Sequence, residues 1–338
     1  MTFLLSVLLL LGMTFPSQEA ASLCKRPERS LTILERVGAV LAVGSLAVTA
    51  GCSADAPTMA ETQGAAVVET TPSPEAREVA GAWTIDFSTQ PDGPVSRQQW
   101  VIETGTEIPG YNNEEQVYTD RPENFRIEDG ALVIEARRED YGTGENMRHY
   151  TSGRLTTAGI HDMQYGELTV RAKLPTGPLH WPAIWMLPTD QVYRQGIDST
   201  NIDYGRLQQL NGEVDLAEVY GGVLDGQVES TVHTYNSLRQ GMGGIARSYA
   251  LSNIDNEFHD YTVRWSPEKI EFLIDGAAHH SYSNPHTDEK DWPFDQRFHL
   301  LLNVAVGGVP FQENGVAVDN TAFPARMVVQ RINYNPSY

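Results

Sequence analysis

The sequence has only two cysteines, Cys24 and Cys52, and both precede the first convincing strand pattern. A disulfide framework and a cysteine-based metal site are therefore excluded from the rest of the chain. The histidines show no spacing typical of metal ligands, since His279 and His280 are adjacent and the others are scattered. We therefore predict no metal site and no required cofactor.

Basic residues are also scarce, with 24 Lys and Arg against 44 Asp and Glu and a formal net charge of −20. Because phosphate binding needs basic patches, this balance argues against nucleic acid and anionic membrane surfaces as partners. It also disfavours a strongly anionic substrate, although a local basic patch could override the average. The acidity is typical of a protein that stays soluble in salty surroundings.

No stretch keeps an apolar period of 3.6 residues long enough for a major helix, and no internal repeat is visible. From Trp83 onwards, short strand patterns instead follow one another, separated by turn signals such as Asp129-Gly130. The clearest predicted strands are residues 131–136, 167–174, 259–265, 270–274, 298–306 and 327–334. Many short strands predict an all-β antiparallel sandwich, folded as one domain over residues 81–338.

Two apolar runs precede this body, and the second, Val37–Ala50, follows four basic residues and ends before Gly51-Cys52. A basic region, a short apolar run and small residues are typical of a secretory signal. Ala-Gly-Cys resembles a bacterial lipobox, in which the cysteine is lipidated and becomes the new N-terminus. We therefore predict a signal region over 1–52 and an exported lipoprotein of the cell envelope, touching the membrane only through its lipid. An ordinary signal, which would give a secreted or periplasmic protein, is the alternative.

Residues 53–80 are rich in Ala, Thr, Pro and Glu and show no apolar periodicity. This composition predicts a flexible acidic linker between the anchor and the folded body.

The segment Gly212–Gly221 reads as a strand and carries three carboxylates, Glu213, Asp215 and Glu218. Side chains alternate along a strand, so Glu213 and Asp215 share a face while strict alternation sends Glu218 to the other. A β-bulge around Leu216–Ala217 would return Glu218 to the shared face. Crowded acids repel one another and folding does not require them, so we interpret the segment as a candidate hydrolytic site. A solvated strand edge with ordinary surface acids is the alternative.

Other segments accompany this one in a defined order along the body. They are Asn112–Tyr118, Tyr150–Arg154, Trp181–Pro188, Gly212–Gly221, Val232–His233, Phe258–Tyr261, Trp292–Gln296 and Asn303–Gly308. Together they resemble glycoside hydrolase family 16, specifically its laminarinase-like (endo-1,3-β-glucanase) branch. The five-residue step from Glu213 to Glu218 is similar to that of the laminarinase, agarase and κ-carrageenase branches, whereas lichenases have a shorter step.

The resemblance implies a curved β-jelly-roll sandwich, concanavalin-like, whose concave face forms a cleft for a polysaccharide. It implies a retaining endo-acting hydrolase in which Glu213 is the nucleophile, Glu218 the general acid/base and Asp215 an assisting carboxylate. The implied substrate is β-1,3-glucan of the laminarin type, and we expect a monomer. Agar, carrageenan or mixed-linkage glucan as the substrate, transglycosylation, and a non-catalytic carbohydrate-binding protein remain alternatives.

The resemblance also implies six substrate-binding residues, namely Trp185, Trp181, His233, Asn113, Arg154 and Asn303. An aromatic face matches the apolar face of a pyranose, so Trp185 and Trp181 are expected to stack on sugar, with a core position as the alternative. His233 resembles a histidine that contacts sugar near the acid/base, and a structural histidine is the alternative. Asn113 and Arg154 resemble residues that bind sugar hydroxyls, with a turn or an ion pair as the alternatives.

Some segments depart from the family pattern. Gln208–Asn211 stands where laminarinases usually have a Trp-Pro pair, and the polar segment Gln191–Leu210 is expected to form a loop over the cleft. Val309–Phe311 replaces the usual Trp-Pro-Gly. Gln330 replaces the Asp that often helps to hold a structural Ca²⁺, which argues against that ion. These changes put the glucan preference in doubt more than the hydrolysis.

The anchor can be tested by mass spectrometry of the mature N-terminus in a bacterial host that processes lipoproteins. We expect a lipidated Cys52 as the first residue, because lipoprotein processing cleaves directly before the modified cysteine. A free N-terminus beyond Cys52 would contradict the lipoprotein assignment.

Overall fold

The computed structural model describes residues 81–105, 112–194, 211–240 and 242–337. The predicted signal region over 1–52 with Cys52, the predicted linker over 53–80, and residues 195–210 of the predicted cleft loop lie outside the described residues. In the part of the chain that is described, no helix is long and apolar enough to cross a membrane.

The strands of the described residues form two sheets. The strands of the first sheet are β1 (Trp83–Asp86), β3 (Gln116–Tyr118), β4 (Phe125–Glu128), β5 (Ala131–Tyr141), β6 (Arg148–Ser152), β8 (Gly166–Lys173), β13 (His259–Trp265), β14 (Lys269–Ile274), β15 (Ala277–Ser283) and β17 (Ala325–Asn335). The strands of the second sheet are β2 (Val101–Glu103), β7 (Arg154–Thr156), β9 (His180–Pro188), β10 (Glu213–Glu218), β11 (Gln227–His233), β12 (Ile245–Ala250) and β16 (Phe298–Val306).

Helices in the described ranges are short. The α-helices are Tyr235–Arg239 and Val309–Glu313, and the 3₁₀-helices are Phe87–Thr89, Gly144–Asn146, Val192–Arg194 and Asn320–Ala322. Together with the two sheets, they confirm the predicted all-β class.

The first sheet has the order β15-β14-β13-β8-β17-β5-β6-β3, with β1 beside β17 and β4 beside β5. The second has the order β12-β11-β10-β9-β16-β7-β2. The pairs are antiparallel except β3 with β6, which is parallel. The acidic strand β10 therefore lies inside the second sheet, between β9 and β11.

The core fills the space between the two sheets. Strand β8 shows the alternation that the sequence predicts, with Leu168 and Val170 buried and Thr169 between them partly exposed. Trp265 of the first sheet packs edge-on against Phe298 of the second, with their ring centroids 5.3 Å apart. Fully burying an apolar side chain of this size stabilises the fold by about 1.5–3 kcal/mol.

The other face of the second sheet brings side chains from several strands together. Cross-strand register places Glu218 beside Ala183, Ala183 beside Asn303, Asn303 beside Arg154, and Arg154 beside Glu103. These five residues thus form one row across β10, β9, β16, β7 and β2. Because neighbouring strands lie about 4.8 Å apart, residues in such a row can contact a shared ligand.

At one side of this face, the segment around Asn112 packs against the residues that follow β16. Gly308 has φ +113°, and a Cβ there would lie 2.8 Å from the carbonyl oxygen of Asn112 and 3.3 Å from the Trp181 ring. The Val309 N–H donates to that same Asn112 oxygen at 2.7 Å. Glycine is therefore required at 308 for the segment around Asn112 to approach the sheet.

Candidate active site

The bulge predicted in β10 is confirmed by its register with both neighbours. Opposite β11, Asp215 pairs with Thr231 and Glu218 pairs with Glu229, so three steps on β10 match two on β11. Opposite β9, Asp215 pairs with Trp185 and Ala217 with Ile184. The extra residue, Leu216, has no partner in either register.

The bulge sorts the strand into two faces. Val214, Leu216, Ala217 and Val219 belong to the hydrophobic core. The three carboxylates instead line one pocket on the opposite face, together with residues from neighbouring strands and from the segment before β3. The lining residues are Asn112, Glu114, Arg154, Trp181, Ala183, Trp185, Glu213, Asp215, Glu218, Asn303 and Ala305.

Both carboxylate oxygens of Glu218 are held by aromatic side chains. The Trp181 indole N–H donates to Oε1 at 2.8 Å, and the Tyr220 hydroxyl donates to Oε2 at 3.0 Å. The Trp181 and Tyr220 rings also contact each other, with centroids 5.2 Å apart. The orientation of the Glu218 carboxyl is therefore fixed before any ligand binds.

The central carboxylate, Asp215, is paired with His233. The His233 Nε2 lies 2.9 Å from Asp215 Oδ2 and 4.0 Å from Glu213 Oε1, while its Nδ1 lies 2.9 Å from the Gly243 carbonyl oxygen. The Gly243 carbonyl can only accept, so Nδ1 carries a proton, and the carboxylates beside Nε2 favour a second proton there. Burial opposes this charge, but Asp215 and Glu213 outweigh it and raise the pKa of His233 to about 10.

The two glutamates behave differently from surface carboxyls. Burial and the negative charge of Asp215 raise the pKa of Glu213 to about 8, although His233 and Arg154 act against the rise. Burial and Asp215 likewise raise the pKa of Glu218 to about 8, against the hydrogen bond from Trp181. Glu213 and Glu218 titrate as an interacting pair that holds at least one proton near neutral pH.

Among the described residues, one group of side chains has the spacing to hold a metal ion. It consists of Glu213, Asp215 and His233, whose possible ligand atoms all lie within 4.8 Å of one another. A protonated imidazole has no lone pair to give to a metal. The contact of His233 Nε2 with Asp215 therefore suits a charge pair better than a coordination site.

The remaining predicted cleft residues from β7, β9 and β16 contact one another. The Trp185 indole N–H donates to Asn303 Oδ1 at 2.7 Å, and the Asn303 amide donates to the Tyr118 hydroxyl at 3.1 Å. The Arg154 guanidinium lies 4.8 Å above the Trp185 ring and pairs with Glu103 at 2.6 Å. These contacts hold Trp185 in the pocket with its ring only partly buried.

The structure places Asn113 differently from the position expected of a cleft residue. Its side chain is exposed and outside the pocket lining, and its φ of 55° is that of a turn residue. Its neighbours Asn112 and Glu114 line the pocket instead, joined by a 3.2 Å hydrogen bond from Asn112 to Glu114. The left-handed turn at Asn113 explains the difference, because it directs the flanking residues inward.

His233 also differs from the other predicted contacts. It is not among the lining residues, and it reaches the site through its pair with Asp215. Five of the six predicted substrate-binding residues thus converge on the carboxylates, four in the lining and His233 behind it.

Sequence reasoning missed Tyr220, Asn112 and Glu114. Tyr220 stands two residues after Glu218, so the alternation of an extended chain already places it on the same face. Asn112 and Glu114 flank the predicted Asn113, and no sequence signal marks them, because they line the pocket through the left-handed φ of 55° at Asn113. Phe311, which stands in a segment that departs from the family pattern, is buried against Trp181 with centroids 6.0 Å apart.

The arrangement supports acid–base and nucleophilic chemistry. Glu218 can hold a proton in a fixed orientation, and Glu213 can ionise within 4.0 Å of the His233 cation. Two carboxyls with different roles on one pocket wall are what the cleavage of a glycosidic bond requires.

Comparison with known proteins agrees with this chemistry. The sequence profile of glycosyl hydrolases family 16 matches residues 112–322. The β-glucanase of Rhodothermus marinus is 40% identical over 232 residues, which cover 66% of this chain and 74% of that protein. The glucan endo-1,3-β-glucosidase of Cryptopygus antarcticus is 35% identical over 207 residues, which cover 58% and 71%.

Solved structures show the same architecture. The laminarinase from Rhodothermus marinus matches with a TM-score of 0.64 at 37% identity, covering 75% of this chain and 96% of that chain. The match and the two stacked sheets confirm the predicted curved β-jelly-roll sandwich with a concave cleft.

Replacing Glu213 with Gln should make the protein more stable at alkaline pH. The folded-state pKa values of the coupled pair Glu213 and Glu218 are both raised to about 8, so on folding the pair binds protons that the unfolded chain releases above about 4.5, and stability is lost as pH rises through 8. Glutamine avoids that loss, and we expect a gain of about 1–3 kcal/mol above pH 8 that shrinks towards pH 4.5.

Thermal or urea unfolding across pH 4.5–9 measures this difference. Glu167→Gln is the control, because it removes a partly exposed carboxylate that pairs with Arg264 at 2.8 Å outside the pocket. If the Glu213→Gln protein is less stable than the parent at pH 8, the claim that ionised Glu213 destabilises the folded state is wrong.

Proposed function

The chain belongs to glycosyl hydrolases family 16, and on that premise we propose that this glycosidase is a retaining, endo-acting hydrolase of laminarin-type β-1,3-glucan. The observation that carries the proposal is the bulge at Leu216, which brings Glu213 and Glu218 into one pocket with Asp215 between them. The named activities of the β-glucanase and the endo-1,3-β-glucosidase that the chain matches support the substrate class.

In the proposed first step, a carboxylate oxygen of Glu213 attacks the anomeric carbon and forms a glycosyl ester. The bond to the leaving oxygen breaks, and Glu218 gives that oxygen its proton. In the second step, the ionised Glu218 takes a proton from water, the water oxygen attacks the anomeric carbon, and Glu213 leaves. The configuration is retained because it is inverted twice.

The charges near each glutamate support this division of roles. Glu213 has the His233 cation at 4.0 Å and is also stabilised as an anion by Arg154, so the negative charge is more favourable on Glu213. Trp181 and Tyr220 fix the orientation of Glu218, while burial and the charge of Asp215 raise its pKa to about 8, so we assign the shared proton to Glu218. Asp215 assists by pairing with His233 and by raising the pKa of Glu218.

The pocket lining supports a neutral polysaccharide. Arg154 is the one cationic side chain among the described lining residues, and it pairs with Glu103 at 2.6 Å. A sulfated polymer would require cations to offset its charge. Trp181 and Trp185 offer aromatic surface, and Asn303 and Asn112 offer amide groups, which together suit sugar rings and hydroxyls.

We also propose that the protein is exported and anchored in the cell envelope through a lipid on Cys52, so that the pocket meets polysaccharide outside the cytoplasm. The lipobox-like sequence ending at Cys52 and the acidic linker composition support this proposal. We propose a monomer with no nucleic-acid partner, consistent with the net charge of −20.

Replacing Glu213 with Gln should abolish the release of reducing ends while polysaccharide binding is largely kept. The amide preserves the shape of the side chain but cannot attack the anomeric carbon, so we expect a loss of kcat on the order of 10³-fold or more. Reducing-sugar assays and affinity electrophoresis in glucan gels measure the two properties. Glu167→Gln should act like the parent, and an active Glu213→Gln protein would refute the nucleophile.

The substrate is tested by incubation with laminarin, lichenan, agarose and carrageenan, followed by sizing of the products. We expect oligosaccharides of several lengths from laminarin, because an endo-acting enzyme cuts within the chain. Cleavage of the galactans alone would overturn the glucan assignment. Binding to a polymer without cleavage of any of the four would favour a non-catalytic carbohydrate-binding protein.

A further inference from the structure

The bulge in β10 leaves a main-chain group that the sheet does not pair in the ordinary way. Leu216 has no partner in the register of β9 or β11. Its carbonyl oxygen instead accepts a 2.6 Å hydrogen bond from the Ser230 hydroxyl. Ser230 is fully buried and lies on β11 between Thr231 and Glu229, directly opposite the bulge.

A second bulge, in the first sheet, reaches the same serine. In β15, Phe272 pairs with His280 and Leu273 with Ala278, so His279 is the extra residue there. The His279 Nε2 lies 3.2 Å from the Ser230 Oγ. The chain Leu216–Ser230–His279 therefore connects a bulge in one sheet with a bulge in the other.

The donors and acceptors of this chain are fixed by chemistry. A carbonyl oxygen only accepts, so the Ser230 proton points to Leu216 and the Ser230 oxygen accepts from His279 Nε2–H. His279 Nδ1 is buried without a hydrogen-bond partner, which fits the nitrogen that carries no proton. Burial and the neighbouring His280 and Arg247 lower the pKa of His279 to about 4, so the ring is neutral at pH 7.

We propose that Ser230 and His279 are positioning residues that hold the β10 bulge and thereby set the orientation of Glu218. If β10 had this sequence without the bulge, strict alternation would turn Glu218 towards the core. The hydrogen-bonded carbonyl belongs to Leu216, two residues before Glu218. The Ser230 hydroxyl reaches it from the core side of the strand. The inference depends on the proposed role of Glu218 as the acid/base.

Removing the serine hydroxyl should relax the bulge and misplace Glu218. In Ser230→Ala we expect kcat to fall by about tenfold to a hundredfold, the sensitivity of proximity effects to shifts of up to 1 Å, while KM changes little. The alkaline limb of the pH profile, which follows the proton on Glu218, should move. The ¹³C NMR titration of the Glu218 carboxyl should move with it, and this readout needs no substrate.

Thr157→Val is the matched control. Thr157 is also buried and its hydroxyl accepts from the Leu300 N–H at 3.0 Å, but strands β16 and β9 separate it from β10. This variant should lose stability without a change in kcat or in the Glu218 titration. An equal loss of kcat in Thr157→Val would overturn the positioning role.

The histidine gives a second test if Ser230→Ala does not fold. His279→Gln keeps an N–H that can donate to Ser230, so its kcat should equal that of the parent. His279→Leu has no such donor, so its kcat should fall. Folded Ser230→Ala, or folded His279→Leu, with the parent's kcat and Glu218 titration would overturn the proposal. A parent protein that cleaves no polysaccharide would count against the proposed function, and the NMR titration would still decide this inference.

Discussion

One extra residue in β10 is the constraint on which the site depends. Leu216 enters the strand without a partner on either side, and because of it the strand buries three apolar side chains while presenting three carboxylates. A regular strand of the same sequence would place Glu218 and Asp215 on opposite faces. The Leu216 carbonyl at the bulge accepts a hydrogen bond from the Ser230 hydroxyl, so this polar group is satisfied inside the protein.

The same geometry concentrates charge where folding alone would avoid it. Asp215 is almost fully buried, and its charge together with burial raises the pKa of Glu213 and Glu218. His233 offsets part of this cost by remaining a cation against Asp215. Ionising both glutamates in this pocket is therefore unfavourable, and a proton stays available on the pair at neutral pH.

Alternation and turn signals were enough to predict the class of fold and the face of the carboxylates. The strand predicted over 298–306 begins and ends where the structure has it, because its apolar run is continuous and a glycine pair follows. Asn113 shows the limit, since a left-handed residue reverses which neighbours face inward and no pattern in the sequence announces φ 55°. The hydrogen bond between His279 and Ser230 could not be predicted from the sequence either, because it joins residues 49 positions apart in different sheets.

The row that runs from Glu218 through Ala183 and Asn303 to Arg154 draws each member from a different strand. The three carboxylates sit on β10, whereas Ala183, Asn303 and Arg154 sit on strands that pair with one another without a register shift. Substitutions on one of these strands can therefore change the pocket lining during evolution while the carboxylates on β10 stay in place. Ala183, which lies between Glu218 and Asn303 in this row, has the smallest side chain of the four.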